Sequence, residues 1–135
     1  MNAVTGELPS QISFMPNLKT LNVGTNFFFA TIQTSLSQLS TLQVLDVSNN
    51  FFGGTIPPEW GALGELECLI LERNGQINGS LPSELGNLSN LKLLDIRDMP
   101  NLTGDIPQEV RDIPGIVICE GAGGTCESPK DVRHR

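Results

Sequence analysis

Asp95 and Asp98 stand three residues apart in "LLDIRDMP", and a carboxylate pair is what glycoside hydrolysis needs. No other catalytic grouping presents itself. The chain's one histidine, His134, is next to last, which argues against a nucleophile triad, a histidine metal site or a histidine general base. Cys68, Cys119 and Cys126 are too few for a disulfide scaffold and too scattered for a zinc site. Gly53-Gly54 lacks the lysine and the strand-to-helix setting of a phosphate loop, and "TIPPEW" is not a P-x-x-P ligand. The expectation is a non-enzyme with no metal and no cofactor.

The bulk properties narrow the partners. At 135 residues the chain suits one domain. Its formal charge of -7 repels nucleic acid and anionic membranes. No apolar stretch reaches the roughly 18 residues of a spanning helix, so direct membrane insertion is not expected. "MNAVTGELPS" has no basic region followed by an apolar one, so no signal peptide is visible.

The elements that must position any site come from a repeat. Asn2, Asn26, Asn50 and Asn74 are spaced by 24 residues, and one further step of 25 reaches Met99. Leu21, Leu45, Leu69 and Leu94 keep the same step, as do Val23, Val47, Leu71 and Ile96. Gly6, Ala30, Gly54, Gly79 and Gly104 form another column, and Pro9, Gln33, Pro57, Pro82 and Pro107 the next. "LQVLDVSNNFFGGTIPPEWGALGE", residues 42–65, shows the unit L-x-x-L-x-L-x-x-N-x-L-x-G-x-I-P-x-x-L-x-x-L, with Phe52 and Trp60 at leucine positions. This pattern resembles the leucine-rich repeat family, in its plant-type subclass, over residues 2 to about 118.

Each column has a physical role. L-x-L alternates with period two, which predicts a short strand with Leu45 and Val47 inward and Asp46 outward. The I-P-x-x-L-x-x-L half returns apolar groups every three residues, which suits a 3₁₀ turn behind the strand, with Pro57 near its start. Asparagine has donors and an acceptor to bridge the turns of neighbouring units. One unit cannot bury its leucine face alone, so units stack. The expected fold is an α/β-type repeat solenoid, an arc with a parallel β-sheet on the concave face and 3₁₀ or short helical turns on the convex face.

The repeat also marks its interruptions. Residues 1–17 are the back half of a unit whose strand is missing, and full units follow at 18–41, 42–65, 66–90 and 91–115. A start in mid-repeat points to a fragment of a longer chain; the alternative is an intracellular protein with a frayed end. Met99 replaces the ladder asparagine and cannot donate, so weaker local packing or rescue by Asn101 is expected, and Met99→Asn should raise the melting temperature. Cys119 falls on the inward column by the 25-residue count, and Gly121, Gly123 and Gly124 let the chain turn back to Cys126. A Cys119–Cys126 disulfide would close a cap at 116–126, two free thiols being the alternative; 127–135 reads as a mobile tail. Cys68 has no evident mate and reads as packing. Sequons at Asn78, Asn87 and Asn101 favour glycosylation and an extracellular or cell-surface location, with Asn87 best placed on the convex side.

Binding is where such a fold points. Outward slots of successive strands make an extended concave surface, and here they hold Asn22, Val44, Asp46, Ser48, Ile70, Glu72, Arg73, Asp95, Arg97 and Asp98. In those slots Asp95 and Asp98 read as solvated charge rather than a hydrolytic pair. Phe27 and Phe51 follow ladder asparagines in adjacent units and should stack side by side, as a contact site or as a cover for the turn. Phe28 and Phe52 should be core. The expected function is a non-catalytic module recognising a protein or peptide. The resemblance implies two alternatives: inhibition of a cell-wall-degrading glycosidase, and, ranked low, ice binding, since Glu72, Arg73, Arg97 and Asp98 break any regular face.

Overall fold

The L-x-L segments all become strands of one sheet. The computed structural model describes residues 5–124, 126 and 127, so His134 and the tail from 128 onward lie outside the described residues. The strands are Thr20–Asn22, Val44–Asp46, Cys68–Ile70, Leu93–Arg97 and Val117–Gly121, parallel throughout. Cys126–Glu127 returns antiparallel along the last of them, one residue further than the expected end of the cap. The register sets Leu21, Leu45, Leu69 and Leu94 side by side, and all four are buried.

Behind the sheet, Ser10–Phe14, Thr34–Gln38, Pro58–Ala62 and Ser83–Asn87 are 3₁₀ turns, and Gln108–Arg111 is a single α-turn. Each follows a residue of the proline column, Pro9, Gln33, Pro57, Pro82 or Pro107, with ψ between 127° and 142°. Proline loses nothing there, because the first N–H groups of a helical turn have no internal acceptor. Trp60 is wholly buried between these turns and donates Nε1–H to the Gln33 carbonyl at 3.2 Å. The glycine column bends the chain through the left-handed region. Gly6, Gly54, Gly79 and Gly104 have φ from 76° to 106°, and Ala30 is held at 82° in the same slot, where its Cβ is disfavoured.

The asparagine ladder is built as its chemistry requires. Asn50 donates Nδ2–H to the carbonyls of Val23, Val47 and Ser48 at 2.9, 3.2 and 3.0 Å, and its Oδ1 accepts the Phe28 N–H at 3.0 Å. Asn74 repeats this on Val47, Leu71 and Phe52. At Met99 the extra residue of the unit changes the wiring. The Ile77 N–H, which an amide oxygen at 99 would have met, bonds instead to the Asn74 carbonyl at 3.1 Å. Asn101 does not rescue the turn: its Nδ2 reaches the Gly75 carbonyl at 2.5 Å in the neighbouring loop. A surface cleft of about 610 Å³, lined also by Arg111, Glu120 and Gly121, opens beside Met99, Ile96 and Leu102, while Met99 itself is buried in the core.

The last strand departs from the expected phase. Leu94 pairs with Ile118 and Asp95 with Cys119, so the step is 24 residues rather than 25. Ile118 therefore takes the inward column, and Cys119 joins Asp46 and Asp95 on the outward one. Cys119 is disulfide-bonded and its register partner is Cys126, while Cys68 is free. At the other end Met15 is 49% exposed although Leu39, Leu63 and Leu88 in its column are buried, because this unit has a described neighbour on one side only.

Candidate functional site

The outward slots divide into two regions. On the C-terminal strands the charges are spent on one another. Arg97 grips Asp95 with two bonds, Nε to Oδ1 at 3.0 Å and Nη2 to Oδ2 at 2.7 Å, and reaches Glu72 at 3.3 Å. Its Nη1 donates to the Gly124 carbonyl at 3.4 Å. Asp98 accepts the Gly123 N–H at 2.8 Å and pairs with Arg73 at 3.4 Å. The Gly123 N–H, with Arg73 and Arg97 nearby, holds the Asp98 carboxyl below its ordinary pKa. The hydrogen bond to Asp95 holds the Arg97 pKa above its ordinary value. These contacts tie the glycine turn of the cap to the edge of the concave face.

This corrects the reading of Asp95 as a solvated charge: it is buried, 5% exposed, with both oxygens on Arg97. A bidentate guanidinium clamp leaves that carboxylate no proton-transfer role in a hydrolytic pair. The signal was present in the sequence, since Asp95-x-Arg97 puts opposite charges on one face of a strand.

The N-terminal strands differ. Asn22 is exposed, Val44, Asp46 and Ile70 are half-buried, and Ser48 is buried. Asp46 Oδ1 accepts from the Ser48 N–H at 3.0 Å and the Ser48 hydroxyl at 2.6 Å. No cation among the described residues pairs with Asp46. Cys68 lies half-buried between Val44 and Leu93, and burial, then Glu67, pushes its thiol pKa up. At the strand entry Lys92 bonds Glu67 at 2.7 Å, a pair not foreseen from the sequence.

Beside the strands, Phe27 and Phe51 stack with centroids 6.1 Å apart and 14° between planes, and both remain exposed. Phe28 and Phe52 stack beneath them in the core at 5.9 Å. Phe29, also exposed, extends the outer patch and escaped the sequence reading. Asn78, Asn87 and Asn101 are all exposed; Asn87 ends a convex 3₁₀ turn, and the Asn101 amide is engaged with Gly75. Among the described residues no cluster could hold a metal, and no helix is long and apolar enough to cross a membrane.

The geometry has counterparts among known proteins. The Leucine Rich Repeat family profile matches residues 41–63. No curated protein sequence matches the chain. The Arabidopsis receptor kinase HAESA, solved with the peptide hormone IDA and the co-receptor SERK1, is 30% identical, with a TM-score of 0.79 over 90% of this chain. A TDR receptor is 33% identical, with a TM-score of 0.84 over 90%. The ectodomain of the Arabidopsis receptor kinase SOBIR1 is 25% identical, with a TM-score of 0.78 over 90%. The chain spans 20% of the HAESA chain, 21% of the TDR chain and 64% of the SOBIR1 chain. With its asparagine ladder, its glycine and proline columns and these likenesses, the chain folds as a leucine-rich repeat solenoid similar to the plant receptor-kinase ectodomains.

Proposed function

We propose that this chain is a non-catalytic recognition module that binds a peptide or protein along the first three strands of its concave face. The observation that carries this is the contrast between the two regions: the charges on the C-terminal strands are consumed internally, while Asn22, Val44, Asp46 and Ile70 present an open mixture of apolar and polar groups. Such a mixture suits a peptide or protein surface. The likeness to an ectodomain solved with a peptide hormone supports the same reading, and with the sequons at Asn78, Asn87 and Asn101 it supports an extracellular setting. Glycosidase inhibition through an acidic concave patch loses force, because Asp95 is neutralised by Arg97 and Asp98 is paired with Arg73.

The test is selection of a displayed random peptide library on the immobilised protein. Enriched peptides should fail to bind a Val44→Arg, Ile70→Arg double variant that melts like the wild type. Equal binding to that variant would remove the concave face from the proposal.

A further inference from the structure

We infer that the notch above Gly24 is a subsite for an arginine side chain of a partner polypeptide, held by the Asp46 carboxylate, the Asn22 amide oxygen and the Ser48 hydroxyl. The inference rests on the concave-face reading and names the chemistry its ligand must bring. Gly24 lies beside Ser48, in the slot that holds Glu72 and Arg97 on later strands. A Cβ built on Gly24 would meet Ser48 Oγ at 3.0 Å, Asp46 Oδ1 at 3.2 Å and Asn22 Oδ1 at 3.3 Å. Three side-chain oxygens from two strands therefore converge on the face of Gly24, closer than a side chain at that position would comfortably allow.

The molecule contains its own template for what fills such a space. Asp46 and Asp95 share one outward column, and each accepts the backbone N–H two residues on. At Asp95 that residue is Arg97, whose guanidinium takes both carboxylate oxygens. At Asp46 it is Ser48, whose hydroxyl takes Oδ1, and Asp46 Oδ2 bonds to nothing among the described residues. The repeat thus offers the same carboxylate in the same pose with the guanidinium missing. A planar donor fork matches a carboxylate better than a point charge does. A divalent cation fits poorly, because a single carboxylate supports it where such an ion wants several oxygen ligands. The arginine stem would run over Val44 and Ile70, the half-buried neighbours of Asp46. The formal charge of -7 favours approach of a basic segment.

Amide NMR of the whole chain titrated with N-acetyl-arginine methylamide tests this directly, with the citrulline counterpart as a neutral isostere. The Gly24 and Ser48 resonances should move saturably with the arginine compound and stay still with citrulline. Asp46→Asn should weaken the response at least tenfold, and Gly24→Ala, whose Cβ would press on all three oxygens, should do the same while the spectra of the later repeats are unchanged. No movement in the wild type, equal movement with citrulline, or an undiminished response in Asp46→Asn would overturn the subsite. If selected peptides bind the concave face but this titration fails, recognition stands and the subsite falls. If the titration succeeds and no peptide is captured, the converse holds.

Discussion

Asp46 and Asp95 occupy the same column of one parallel sheet, yet their surroundings are opposite. Asp46 is half-buried beside Asn22 and Ile70 and pairs with no cation among the described residues, whereas Asp95 is sealed beneath Arg97 next to the last strand. A solenoid repeats its backbone and leaves the side chains of each slot to vary, so one position serves structure at one end and stays open at the other. The difference turns on the residue two places later, serine in one repeat and arginine in the other. Charge on a repeat surface is therefore evidence of a binding face only where the next slot does not neutralise it.

The comparison breaks most decisively at the ladder that both regions lean on. Asn50→Ala should cost about 3 kcal/mol in denaturant unfolding, because it strands the buried Phe28 N–H and three carbonyls. A loss no larger than that of an ordinary surface substitution would mean that the ladder is dispensable. Next comes the pair of aspartates. Asp95→Ala should cost about 2 kcal/mol and Asp46→Ala about 1, since the first removes a buried carboxylate clamped by a guanidinium and the second only the acceptor of the Ser48 hydroxyl and N–H. Equal costs would erase the distinction between the two regions.

Met99→Asn sharpens the contrast on the other face. The sequence alone argues for a rise in melting temperature, but the Ile77 N–H is already satisfied by Asn74 and the methionine is buried. The change should therefore destabilise the chain by about 1 kcal/mol or more, read as a lower melting temperature, because it buries an amide in place of an apolar side chain where the turn no longer needs its acceptor. The smallest effect is spectroscopic. The Asp98 pKa is lowered in the folded chain, so its contribution is complete above the ordinary value of 3.8 and fades as pH falls through the lower folded value. The Gly123 amide resonance should therefore titrate below about pH 3.8 and be flat near neutrality.

The repeat made the architecture legible. The ladder, the glycine bends, the proline-led turns and the inward leucines each hold a column, and the phase of a column depends on local spacing alone. The stacked Phe27 and Phe51 were legible for the same reason, since residues one repeat apart must be neighbours. Two things were not. The last strand slips by one residue, which moves Cys119 outward, because strand pairing and the returning strand at Cys126 set that register rather than the spacing of an incomplete unit. And the fate of each outward charge depended on contacts across repeats and with the cap, such as Arg97 with Glu72 and Gly124, or Asp98 with Gly123.

Sequence by itself determined that this chain stacks repeats and which side chains face away from the core, because periodicity encodes both. Tertiary structure decided which of those outward groups are free. Burial and the longer-range pairs, Arg97 with Glu72 and Asp98 with Arg73, arise between units about 24 residues apart, and only the assembled sheet shows that Asp95 is buried under the Arg97 guanidinium while Asp46 has no cation partner among the described residues.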